Sequence, residues 1–124
     1  MPPPPFLDRT PSPPCAPGQA PIDLEHLARM TLGDGLLRRE VLGMFVKQTG
    51  ELLGRLGGRP DDGAALAHTL KGSARAIGAF PVAACAEVLE SALRQGGDPS
   101  EALAALDAAT AEARASIEAI LAGP

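Results

Sequence analysis

The chain has 124 residues, a formal net charge of -4 and 45 % apolar residues, with no Trp or Tyr and only three Phe. That length supports one domain rather than two, and its core must be built from Leu, Ile, Val, Met and Ala, which suits close helix packing. The acidic balance argues against nucleic acid as the main partner. No apolar run is long enough for a membrane span and no secretory signal is visible, so a cytoplasmic location is expected.

A proline-rich segment comes first. Residues 1–21 carry nine of the 13 prolines, including the runs MPPPPF and PSPPCAPG. Proline fixes φ and removes a backbone donor, so this segment is expected to be an extended tail, with the folded domain spanning residues 22–124. The tail reads as a disordered leader or as a docking peptide for a proline-binding domain. Cys15 lies in the tail and Cys85 in a helical pattern. They form no metal-spaced pair, and both are expected to be reduced thiols.

Gly and Pro divide the remainder into helical stretches. A short helix is expected from about Asp23 to Leu32, with Leu24, Leu27 and Met30 or Thr31 on one side. Gly33-Asp34-Gly35 ends it, and Asp34 is placed to cap a second helix running to about Leu56. The apolar stripe of that helix is Leu37, Val41, Met44, Phe45, Leu52 and Leu56, with Gln48 in line. After Gly57-Gly58-Arg59-Pro60, Asp61 or Asp62 should cap a third helix to about Ile77, ended by Gly78. Phe80 occupies the expected next cap position, where a polar residue would be usual, and Pro81 suits the first turn of a fourth helix. That helix should bury Val82, Cys85, Ala86, Leu89 and Leu93. Asp98-Pro99-Ser100-Glu101 resembles a capping box opening a last helix, which buries Leu103, Leu106, Ala113, Ile117 and Ile120 or Leu121. No stretch shows sustained alternation. The expected fold is all-α: an antiparallel four-helix bundle with a short additional N-terminal helix.

The third helix carries the chemistry. Leu66, Leu70, Ser73 and Ile77 share one stripe, and at ~100° per residue His68 points almost opposite to it. Lys71, Gly72 and Arg75 follow His68 on the same outer face. A neutral imidazole is plentiful at pH 7 and nucleophilic. Lys71 offers a mobile ammonium for an attached phosphoryl group, and Gly72 leaves room for a bulky partner. The plainer reading is a surface histidine beside a surface lysine. On the fourth helix, Glu90 flanks the core stripe and can reach across to the third. There it could accept from Nδ1–H of His68 and leave Nε2 free, or simply pair in solvent with Arg94 at i+4. Other signals carry less. His26 stands alone and is expected to face solvent, and His26 and His68 have no metal-ligand spacing. Gly54 to Gly58 lacks the Gly-Lys-Ser/Thr of a phosphate loop. Arg38, Arg39 and Lys47 read as a solvated face, with Arg38 or Arg39 as an alternative partner contact.

The run His68-Thr69-Leu70-Lys71-Gly72-Ser73-Ala74, followed by Gly78-Ala79, resembles the signature of the histidine-containing phosphotransfer (HPt) family. Phe45, Ala67 and Leu89-Glu90 also resemble its usual pattern, and the similarity covers roughly residues 22–122. The resemblance implies a phosphorelay intermediate in two-component signalling. His68 would accept a phosphoryl group from a receiver-domain phospho-aspartate and pass it to another response regulator. Lys71 would neighbour the phosphate, Gly72 would give clearance, Arg75 would face phosphate or partner, and Glu90 would orient the ring. The expected partners are response-regulator receiver domains and a hybrid histidine kinase. The module would be a monomer and not an enzyme in its own right. It would hold no metal or other cofactor, because the receiver brings the magnesium ion. The proline tail has no family counterpart. The competing reading is a helical adaptor that binds a signalling partner without being phosphorylated. A kinase subunit would need a nucleotide-binding domain, for which this length leaves no room.

Overall fold

The structure, a computed structural model, describes residues 15, 16 and 18–123. Within them the chain forms α1 (Leu24–Met30), α2 (Gly35–Gly57), α3 (Gly63–Ile77), α4 (Phe80–Arg94) and α5 (Ser100–Ala122), with no strand. Short connections over 58–62, 78–79 and 95–99 make consecutive helices double back on one another. Each of α2 to α5 packs on the next, α2 closes the ring against α5, and α1 lies on α3. This is the four-helix bundle with a short additional helix that the sequence leads one to expect.

The core is aliphatic. Leu42 and Leu56 of α2, Leu70 and Ile77 of α3, Val82 and Leu89 of α4, and Leu106 and Ile117 of α5 are all buried. Ala67 and Ala74 of α3 and Ala83 and Ala86 of α4 are buried among them, and α3 and α4 form the most extensive helix pair. Small side chains allow close approach of two helices, and that closeness positions the site.

The buried stripe of α2 differs from expectation. Leu42, Phe45, Thr49, Leu52 and Leu56 face inward, while Leu37 and Met44 are exposed. Both sets keep three- and four-residue steps, so spacing alone did not separate them. The observed set places a hydroxyl inside, satisfied because Thr49 Oγ1 donates to the Phe45 carbonyl at 2.6 Å. In α1 Leu27 is buried, as is Thr31 at its C-cap, whereas Leu24 and Met30 are exposed.

The cap of α2 forms as expected, whereas α5 opens at Ser100 with Pro99, not Asp98, at its cap position. Asp34 Oδ1 accepts from the Leu36 and Leu37 N–H groups at 2.9 and 3.2 Å. Asp98 Oδ1 accepts from the Ser100 N–H at 3.0 Å and from its hydroxyl at 2.7 Å. Asp62, however, makes no cap hydrogen bond; it takes Arg55 Nη2 at 3.2 Å instead. Phe80 is the first residue of α4 and Ala79 precedes it as the cap. The Phe80 ring meets His26 edge-on, with centroids 5.2 Å apart. His26 therefore does not simply face solvent: its Nε2 lies 3.1 Å from the Ala76 carbonyl oxygen, tying α1 to the end of α3.

The two cysteines expected as free thiols are joined. Cys15 and Cys85 form a disulfide across 70 positions of sequence, with Cys85 buried in α4 and Cys15 packed partly buried against the core. Part of the expected tail is thereby held against the bundle. Residues 1–14 and 17, on which the rest of that expectation falls, lie outside the described residues.

The turn between α3 and α4 requires glycine. Gly78 has φ 85°, and its carbonyl accepts from the Asp23 N–H at 2.9 Å. A Cβ at this position would sit 2.9 Å from the Asp23 carbonyl oxygen, a backbone atom that cannot swing aside. Gly78→Ala should therefore lose roughly 1–3 kcal/mol of stability, from left-handed strain together with the clash. Denaturant titration of parent and variant, with unchanged slope, measures this loss.

Candidate functional site

The α3–α4 pairing brings His68, Lys71, Glu90 and Arg94 together. His68 is on the outer side of α3, opposite the buried run Leu66, Leu70 and Ile77, and its side chain is 62 % exposed. Glu90 lies one position beyond the buried Leu89 on α4, which turns it into the groove; its side chain is only 10 % exposed.

Four nitrogens from three side chains converge on that carboxylate. His68 Nδ1 lies 3.1 Å from Oε2 and 3.3 Å from Oε1. Lys71 Nζ donates to Oε1 at 2.9 Å. Arg94 donates to Oε2 from Nε at 3.1 Å and from Nη2 at 2.9 Å. The sequence posed His68 and Arg94 as alternative partners of Glu90; the structure has both on one oxygen. An ionised carboxylate can only accept, so Nδ1 carries the hydrogen and Nε2 holds the free lone pair. No hydrogen-bond partner for Nε2 occurs among the described residues.

Hydrogen bonds from Lys71 and then Arg94 bring the Glu90 carboxyl down from its ordinary 4.5 to about 2, against the opposing effect of desolvation; the His68 contact adds in the same direction. Glu90 is thus an anion throughout the neutral range. Lys71 differs from the freely mobile cation expected of it: its side chain is 14 % exposed and moored to Glu90.

Gly72 follows on the exposed face, and a Cβ there would meet nothing within 4 Å. Arg75 is exposed and its Nη2 lies 3.5 Å from Glu87 Oε2, so α3 presents it outward without bringing it to the Glu90 cluster. Beyond Gly72, a groove among α1, α2 and α3 is lined mainly by the apolar Met30, Val41, Met44, Phe45 and Ala76, with Gln48 and Ser73 beside them. Among the described residues, no three His, Cys, Asp or Glu side chains gather where they could hold a metal ion. No helix there is long and apolar enough to cross a membrane.

A family model described as Hpt domain matches residues 40–123, more than half of the chain. The chain belongs to the Hpt family. Comparison with curated proteins gives no significant match. The Hpt match takes in His68, Lys71, Gly72, Arg75, Glu90 and Arg94, and leaves out α1 and Cys15. Hpt modules serve histidine phosphotransfer in two-component signalling, with receiver domains as partners. The present Hpt bundle offers one exposed imidazole on a rigid helix, which is the chemical minimum for that task. Sequence reasoning missed the simultaneous grip of two cations on Glu90. The signal was present, since Arg94 lies four residues after Glu90 on the same helix face.

The Glu90 cluster also sets an acid limb of stability. A carboxyl lowered on folding contributes stability that is fully present above its unfolded value of 4.5 and is lost as pH falls through about 2. Glu90→Gln should flatten the stability profile across that window, while the parent continues to lose stability as its carboxylate is protonated. Unfolding free energies of both proteins at stepped pH provide the comparison; superimposable acid limbs would remove Glu90 as a contributor.

Proposed function

We propose that this Hpt module is a phosphorelay intermediate in which Nε2 of His68 takes a phosphoryl group from the phospho-aspartate of a receiver domain and yields it to another response regulator. One observation carries this reading: an exposed imidazole with Nδ1 on the Glu90 carboxylate, Nε2 without a partner among the described residues, and an ammonium on the same carboxylate. The Nε2 lone pair attacks phosphorus, an N–P bond forms, the acyl P–O bond breaks, and the aspartate leaves as a carboxylate. The ring keeps its Nδ1 hydrogen and becomes cationic. Glu90, already ionised, accepts from that hydrogen and so opposes the new charge where it develops. Lys71 serves as the phosphate neighbour.

The receiver would bring the magnesium ion and most catalytic groups, and a monomeric module without a cofactor or nucleotide site would suffice. A receiver, including one borne by a hybrid histidine kinase, would cover the open face at Gly72, reach Arg75 and rest on the groove beside Met44, which is 70 % exposed. Such partners go with a cytoplasmic location. Thiol pools there keep most cysteines reduced, so the Cys15–Cys85 bond would be an exception in that compartment.

Two variants test the reading. His68→Ala should abolish acid-labile, base-stable labelling by a phosphorylated receiver domain. It should change stability by no more than about 0.5 kcal/mol, because the side chain is largely exposed and Glu90 keeps Lys71 and Arg94. Full labelling of that variant would refute His68 as acceptor. Gly72→Gln should raise helix propensity by up to about 1 kcal/mol and meet no neighbour in the free module. It should nonetheless weaken receiver affinity and slow transfer. A variant more stable than the parent and equally fast would place the docking surface elsewhere.

A further inference from the structure

We infer that Arg94 is a positioning residue that releases Lys71 from Glu90 when phosphate arrives on His68. The inference deepens the reading of His68 as acceptor and rests on it. Lys71 faces two anions in succession. Before transfer its Nζ is bound to Glu90 Oε1 at 2.9 Å, the same oxygen that lies 3.3 Å from His68 Nδ1. To neutralise a phosphoryl group on the far side of the ring, the ammonium has to leave that oxygen. Leaving is costly if it strands a carboxylate in a groove where only 10 % of the side chain is exposed.

Arg94 removes that obstacle. Its guanidinium puts Nε and Nη2 on Oε2, the oxygen Lys71 does not use, and its rigid fork stays in place when Oε1 is vacated. Glu90 therefore keeps a full positive partner throughout the reaction. With 59 % of its side chain exposed, Arg94 sits at the solvent edge of the cluster, whereas Lys71 at 14 % lies inside it. Arg94 remains with the carboxylate, and Lys71 is the cation that travels.

The test uses the full-length chain and two phosphodonors, phosphoramidate and a phosphorylated receiver domain. Arg94→Gln should slow His68 labelling by phosphoramidate about fivefold, the upper end for an ion pair whose cation is largely exposed. Arg94→Lys, which restores the cation at i+4, should recover most of the rate. In a Lys71→Gln background, Arg94→Gln should cause no further loss, because there is no ammonium left to release. An equal rate in parent and Arg94→Gln overturns the inference. So does a fivefold loss that persists without Lys71, which would make Arg94 a direct phosphate ligand or a structural tie. A parent labelled by phosphoramidate but by no receiver would refute the relay reading and leave the Arg94 comparison standing. A parent labelled by neither donor would overturn both.

Discussion

The Glu90 carboxylate is the interaction on which the rest of this molecule turns. It joins α3 to α4 through His68 and Lys71 and ties back to its own helix through Arg94. A carboxylate with little access to water is tolerable only when both oxygens are satisfied, and here each one is. The same contacts that make its burial possible also assign the imidazole hydrogen to Nδ1. Stability and chemical poise thus share one set of hydrogen bonds.

That cluster depends on how closely α3 and α4 approach. The two helices are joined by only 78–79, and Gly78 turns the chain in a conformation that side chains rarely adopt. Asp23 fills the space over this turn, donating its N–H to the Gly78 carbonyl, while His26 reaches the Ala76 carbonyl and the Phe80 ring. The short α1 therefore braces the junction that aligns Glu90 with His68. Ala67 and Ala74 of α3 and Ala83 and Ala86 of α4 are all buried, and such small side chains allow the two helices to approach closely.

Much of this was legible in the residues. Glycine and proline mark the boundaries of α3 and α4 because their backbone limits act locally, and His68 falls opposite the apolar run of α3 by simple angular spacing. What was not legible depends on partners distant in sequence. Met44 and Leu42 both satisfy helical periodicity, and only packing against other helices decides that Leu42 is inside. Thr49 is buried because its hydroxyl finds the Phe45 carbonyl, which hydropathy does not record. The Cys15–Cys85 pairing spans 70 positions, and no spacing rule links a residue in a proline-rich segment to one in a helix. Lys71 looked free because a one-helix view shows its neighbours at i+3 and i+4 but not the carboxylate arriving from α4.

The arrangement also explains why so little catalytic equipment is needed on this side of a transfer reaction. A relay intermediate of the kind proposed would accept a group, hold it and give it up. Glu90 would support the ring as it becomes cationic. The same carboxylate also moors Lys71, so that stabilising a phosphoryl group competes with an existing ion pair. In the proposed transfer, that competition would limit how tightly the phosphorylated state is held. A lysine free in solvent would favour that state more strongly, and a lysine locked to Glu90 without Arg94 would favour it less. With two cations on one carboxylate, that balance would be set within the module, and the open face at Gly72 would leave the remaining catalytic work to the docking receiver of the proposed relay.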